Sequence, residues 1–187
     1  MGGYAYHKLF LKFTSPLINT LWRKEDYCKF IQNPLYFLNQ SLQSLREADF
    51  RKNIYPVGEI GENDNKVRIE FVHARNFQEA ETLWERRKKR VNYKRIFVKF
   101  GFDAYEPHGK EYLKIFDRMA FPKICFYSGD TNVDKVVYLR RFEWQCYQGN
   151  RMDSVSYNDY CRNMSYLCKD IDILKLLNGE EDYIREQ

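Results

Sequence analysis

Residues 77–92, FQEAETLWERRKKRVN, decide how this 187-residue chain is read. Wound at about 100° per residue, the stretch gathers Phe77, Ala80, Trp84 and Val91 into one apolar stripe, with Leu83 on its edge. Arg86 and Lys89 point away, as solvated charges do, but Arg87 falls inside the stripe and Arg90 just past Leu83. A guanidinium keeps its proton, so on the buried side of a helix it needs a carboxylate, backbone carbonyls or a bound anion. Two readings follow. In the ordinary one, Arg87 lays its stem on the core and reaches water or an internal partner. In the other, it holds the anionic part of a substrate or polymer.

Strand-like runs lie on both sides of this helix. Residues 67–73 (VRIEFVH) alternate, with Val67, Ile69, Phe71 and His73 on one face and Arg68, Glu70 and Val72 on the other. His73 is therefore expected to end a strand on the apolar side, as a satisfied core histidine or as a base. The turn 62–65 precedes that strand, and residues 55–61 form an edge or bulged strand because Pro56 lacks a donor. Beyond the helix, residues 95–100 and 124–127 read as short buried strands and 133–142 as the final one. A loop over 101–109 leads to a helix over 110–119, with Tyr112, Ile115 and Phe116 inward.

Further out, residues 24–33 and 35–45 are helical, the second with Pro34 in its first turn. Residues 157–178 form a last helix, with Leu167, Ile171, Leu174 and Leu177 as core positions. A helix over 3–13 follows Gly2-Gly3, a flexible terminus or a weak phosphate cradle. Strands alternating with helices predict one α/β domain over residues 1–187, an α/β/α-type layering with a mixed β-sheet flanked by helices.

Composition excludes several classes. With 44% hydrophobic and 30% charged residues the chain is a folded one. Fifteen Tyr and 14 Phe suit stacking on sugars or bases, but core is their default place. The net charge of +5 tilts towards anionic partners, yet only residues 86–90 form a dense basic run, and a nucleic-acid footprint is wider. Five cysteines without a CxxC pair read as reduced thiols, and His7, His73 and His108 lie too far apart for a metal-ligand spacing. No apolar run reaches membrane-spanning length, so a soluble, cytoplasmic chain is expected. The DxD at Asp170 and Asp172 has the spacing of metal-bound nucleotide sites, but it lies where a helix is expected and reads as N-terminal helix charge. Asp103 stands alone in its loop. No GxSxG elbow, Walker loop, Rossmann fingerprint or HExxH is present.

Several stretches together carry a resemblance: Ser15-Pro16 with Asn19, Tyr55-Pro56-Val57-Gly58, Phe71-x-His73, Glu79-Ala80, Trp84-x-x-Arg87-x-x-Arg90-Val91-Asn92, and Leu177-Asn178. The series resembles a bacterial family of unknown function, usually labelled exopolysaccharide-biosynthesis proteins and associated with capsule or cell-surface glycan genes. The run from Trp84 to Asn92 is its most specific part. The family pattern places a further strand before the paired glycines. This chain is expected to lack it, leaving one sheet position for a second copy or another segment.

Loops at strand ends are where α/β folds bind ligands. The candidate site accordingly comprises His73 as catalytic base and Ser15, Asn19, Arg87, Arg90 and Asn92 as substrate-binding residues. The two arginines are suited to a diphosphate or a uronate, and no metal site is expected. What the resemblance implies is an enzyme of surface-polysaccharide assembly, a transferase handling an anionic sugar or sugar nucleotide. The alternatives are a non-catalytic carbohydrate-binding or assembly-partner module and, last, a nucleic-acid-binding protein. Cofactor, donor and acceptor are left open.

Overall fold

The computed structural model describes residues 10, 14–45, 55–102, 106–138 and 171–185. The chain is α/β, with its strands in two sheets, one antiparallel and one parallel. The two directions expected in one mixed sheet are thus sorted into separate sheets. The described residues fall in two compact units, one within residues 10–96 and the other within residues 97–185.

The first unit begins with β1 (Thr20–Leu21), α1 (Lys24–Gln32), α2 (Pro34–Asn39) and β2 (Gln43–Ser44). It continues through β3 (Val57–Glu62), β4 (Asn65–Phe71) and α3 (Phe77–Lys88). Its sheet has the order β1-β4-β3-β2, all antiparallel. β3 and β4 form a hairpin in which Gly58 faces Ile69 and Ile60 faces Val67. Val67, Ile69 and Phe71 are buried on one face, while Glu59 and Lys66 on the other make an ion pair at 3.6 Å. Gly61 bends the strand at φ +110°, where a Cβ would lie 2.0 Å from the Asn65 carbonyl oxygen. Only glycine fits there. α1 packs on β4 through Cys28, Phe30 and Ile31. Burial pushes the Cys28 thiol up to about 12, so it stays protonated and acts as a small apolar residue.

α2 opens with Pro34 after the Asn33 cap and ends at Asn39, well short of the helix expected over 35–45. Leu42 explains the difference. Its side chain lies where a Cβ at Gly58 would stand, 2.6 Å away, and Gln43 and Ser44 then pair with β3. Helical spacing persists in the sequence there, but strand pairing wins.

α3 starts at the Asn76 cap, whose side chain accepts from the Glu79 amide at 2.9 Å. Ala80 and Trp84 are buried as expected, and Trp84, at 0% exposure, meets Phe71 edge to face with centroids 6.4 Å apart. The strand expected at 95–100 is not a neighbour in this sheet, because β5 (Val98–Phe102) belongs to the parallel one.

That second sheet runs β5-β6-β7, with β6 at Lys123–Tyr127 and β7 at Val136–Tyr138. α4 (Gly109–Asp117) connects β5 to β6 and buries Tyr112 and Phe116. Ile124, Phe126 and Val137 form a core with Ile171 and Tyr183. The last helix, α5 (Ile173–Asn178), is capped by Asp172, whose carboxylate accepts from the Leu174 and Lys175 amides. Asp172 is therefore a helix cap, as its position suggested, while Asp170, Asp103, the Gly2-Gly3 pair and most of the 3–13 helix lie outside the described residues. So does the 157–170 part of the last helix. Ile171 is buried, but Leu174, expected in the core, is 67% exposed.

Candidate functional site

The site is organised by residues 15–22, a turn tied by its own polar side chains. The Ser15 hydroxyl accepts from the Leu17 amide at 3.3 Å. The Thr20 hydroxyl donates to the Leu17 carbonyl at 2.6 Å and accepts from the Trp22 indole at 2.9 Å. Asn19 sits in the left-handed region at φ 57°, which asparagine tolerates better than most residues. Its carbonyl accepts from the Val72 amide at 3.2 Å, just past the end of β4.

That hydrogen bond relocates His73. β4 stops at Phe71, and the chain turns with the Ala74 amide donating to the Phe71 carbonyl. His73 is exposed in this turn instead of facing the apolar side, because the strand period ends two residues before it. The backbone bond still sets His73 beside Asn19.

Arg87 comes to the same turn from α3. Its Nη1 donates to the Ile18 carbonyl oxygen at 2.6 Å. Among the described residues no carboxylate pairs with it. Burial, together with the like charges of Arg86 and Arg90, holds its pKa below the ordinary arginine value. A guanidinium has five N–H donors, and this one has a single described acceptor.

At this corner the turn thus ties Arg87 to Ile18 and Val72, the residue before His73, to Asn19, with Ser15 at the start of the same turn. Arg90 is exposed in the turn that follows α3, within electrostatic reach of Arg87. Asn92 is exposed and caps its own loop, its side chain accepting from the Lys94 amide at 3.1 Å. No described contact ties Asn92 to the turn.

Residues 1–177 match the family described as Domain of unknown function (DUF1919). The chain belongs to this family. Over 160 residues it is also 26% identical to an uncharacterized protein of Haemophilus influenzae, across 84% of this chain and 73% of that protein. In this DUF1919 chain, two residues that shape the corner and one that fastens α3 nearby in sequence escaped the sequence reading. Thr20 and Trp22 make the relay that closes the turn. Lys88, read from the sequence only as part of the dense basic run over 86–90, lies over the Trp84 ring at 5.9 Å and donates to the Gln40 carbonyl at 2.8 Å. A threonine and a tryptophan two apart were the only visible signal for the relay; Lys88 gave none.

Among the described residues, no group of three or more His, Cys, Asp or Glu is placed to hold a metal ion. No helix among them is long and apolar enough to cross a membrane. What the corner offers chemically is a set of donors: one half-buried guanidinium, an exposed amide, a hydroxyl and an imidazole.

Proposed function

We propose that this DUF1919 chain acts in surface-polysaccharide assembly on the cytoplasmic side, as a transferase that handles an anionic sugar donor. One observation carries the reading. Arg87 is withdrawn from water, crowded by two other arginines and offered a single carbonyl, which is the condition of a group awaiting an anion. The glycan setting rests on the resemblance of the turn and of the Trp84–Asn92 run. In this scheme Arg87 and Arg90 hold the donor's charge, Ser15, Asn19 and Asn92 contact the sugar, and His73 takes the acceptor's proton.

Melting curves with and without sugar nucleotides and uronates test it, for wild type and Arg87→Met. The variant strands the Ile18 carbonyl, a cost of about 1–3 kcal/mol that relief of desolvation and repulsion partly offsets. We expect a small drop in Tm and complete loss of the ligand-induced rise. His73→Ala should keep that rise and abolish turnover. No ligand effect on the wild type, with a large drop for Arg87→Met, would make Arg87 a scaffold residue and end the proposal.

A second reading has its own support. His73 is exposed and no described side chain orients it, whereas a general base is ordinarily held by a partner. That favours a non-catalytic carbohydrate-binding module, and binding without turnover would select it.

A further inference from the structure

We infer that the ligand of the Arg87 corner is a phosphoryl group carrying more than one charge, of the diphosphate type, and that Arg87 grips it side-on. The inference deepens the reading above by naming the class of anion, and it rests on that reading's assignment of Arg87 to a ligand. It starts from which edge of the guanidinium is taken. Nη1 is committed to the Ile18 carbonyl. The edge formed by Nε and Nη2 carries no described partner, and its two parallel N–H groups match two oxygens of one phosphoryl or carboxylate group. The carbonyl thus fixes the plane of the guanidinium and leaves a complete fork pointing elsewhere.

The surroundings favour negative charge. Two successive carbonyls, of Ile18 and Asn19, would otherwise repel an anion. Both are already engaged, one by Arg87 and the other by the Val72 amide. The Asn19 side chain is exposed, and the Ser15 hydroxyl accepts from Leu17 while keeping its own hydrogen to donate.

Charge number selects between carboxylate and phosphoryl. Arg87 and Arg90 stand three residues apart, so their side chains rise from Cβ atoms about 5–6 Å from one another. Arg86 adds a third like charge that acts on Arg87. A uronate brings one negative charge and satisfies one fork. Two linked phosphoryl groups bring at least two charges and span both arginines. Lysine at position 87 would supply the charge without the planar fork.

Calorimetric titration with inorganic pyrophosphate, orthophosphate and glucuronate tests this on wild type, Arg87→Lys and Arg90→Gln, with a melting curve for each. Pyrophosphate should bind the wild type at least about tenfold more tightly than glucuronate, and Arg87→Lys should lose about tenfold of it. Arg90→Gln, at an exposed position, should lose about threefold, and its loss should shrink with added salt. Should Arg87→Lys fail to fold, Arg90→Gln alone decides.

Glucuronate binding as tightly as pyrophosphate overturns the inference, as does pyrophosphate binding that both variants leave unchanged. Random duplex DNA binding more tightly than pyrophosphate, with steep salt dependence, overturns it as well. Failure here with turnover of a uronate donor would leave the proposed function standing. Pyrophosphate binding through Arg87 without any sugar transfer would remove that function and leave this inference intact.

Discussion

Lys123 in the parallel unit and Arg87 in the antiparallel unit are both cations drawn partly out of water, and they are treated in opposite ways. The Lys123 ammonium donates to the carbonyls of Phe116, Asp117 and Met119, at 2.8, 2.6 and 2.9 Å. An ammonium has three N–H donors, so it is saturated, and it closes the C-terminal end of α4. Burial lowers its pKa, while Asp117 and Asp134 push the other way. Among the described residues Arg87 has one carbonyl for five donors, and its charged neighbours add to the effect of burial instead of opposing it. Withdrawal from water alone does not mark a site. A cation whose donors are all used is scaffold, and the proposal for Arg87 rests on donors left over for a ligand.

The largest expected effect tests whether α3 is firmly enough held for that contrast to mean anything. Trp84→Ala should cost about 3–5 kcal/mol, since a fully buried tryptophan leaves a cavity. Trp84→Phe should cost clearly less, because the Trp84 Nε1 hydrogen has no partner among the described residues and its removal takes away a buried unpaired donor. Urea denaturation measures both. Equal losses would mean that the indole nitrogen is satisfied.

A middle-sized effect comes from Lys123→Met, which strands three carbonyls. We expect a loss of about 1–3 kcal/mol and no dependence on added phosphate or sugar nucleotide. If phosphate stabilised the wild type through Lys123, so that the variant abolished the effect, the division into scaffold and site would collapse.

The smallest effects concern two carboxyls shifted in opposite directions. In the antiparallel unit, burial raises the Asp26 pKa, outweighing a backbone hydrogen bond from Arg68 and the charges of Arg23 and Arg68. A carboxyl raised on folding costs stability as pH climbs from its ordinary value through its folded one. In the parallel unit, the hydrogen bond from Lys175 lowers the Asp182 pKa. That contribution is present above the ordinary carboxylate value and is lost as pH falls through the folded pKa. Asp26→Asn should therefore raise Tm at neutral pH and Asp182→Asn should lower it. Both differences should fade as pH falls, the first towards the ordinary value of 3.8 and the second below it. Shifts of the same sign in melting curves taken across this range would break the contrast.

The same two units show why parts of the fold could be read in advance. In β4 the buried residues alternate, and in β6 Ile124, Cys125, Phe126 and Tyr127 are buried in succession. Alternation and a short unbroken apolar run are both visible in a sequence, the second because a parallel strand is covered on both faces. Trp84 and Ala80 were legible from helical period in the same way. What stayed hidden depended on partners far along the chain. The end of α2 is set by Leu42 against Gly58, and the burial of Lys88 by the carbonyl of Gln40. The separation into two sheets could not be read either, since period reports which face is buried and not which strand lies alongside.

Of the candidate site, residue types were legible but their gathering was not. Helix phase placed Arg87 inward correctly, yet its acceptor is a main-chain oxygen 69 residues away that no side-chain pattern announces. His73 was misplaced because the period was carried two residues past the strand's end, where the Val72 amide turns to Asn19.

The anchorage of the turn is written in main chain. Ile18 and Asn19 hold α3 and the end of β4 through carbonyl oxygens, which every amino acid supplies. Position 18 can therefore drift among apolar residues over evolutionary time without unfastening the corner. Position 19 is narrower, because its left-handed backbone admits glycine, asparagine or aspartate far more readily than a branched side chain. Divergent copies of this chain can thus inherit the same corner under different lettering. A search for it should weigh the small or amide residue at 19 and the arginine at 87 above the identity of the residue that the arginine touches.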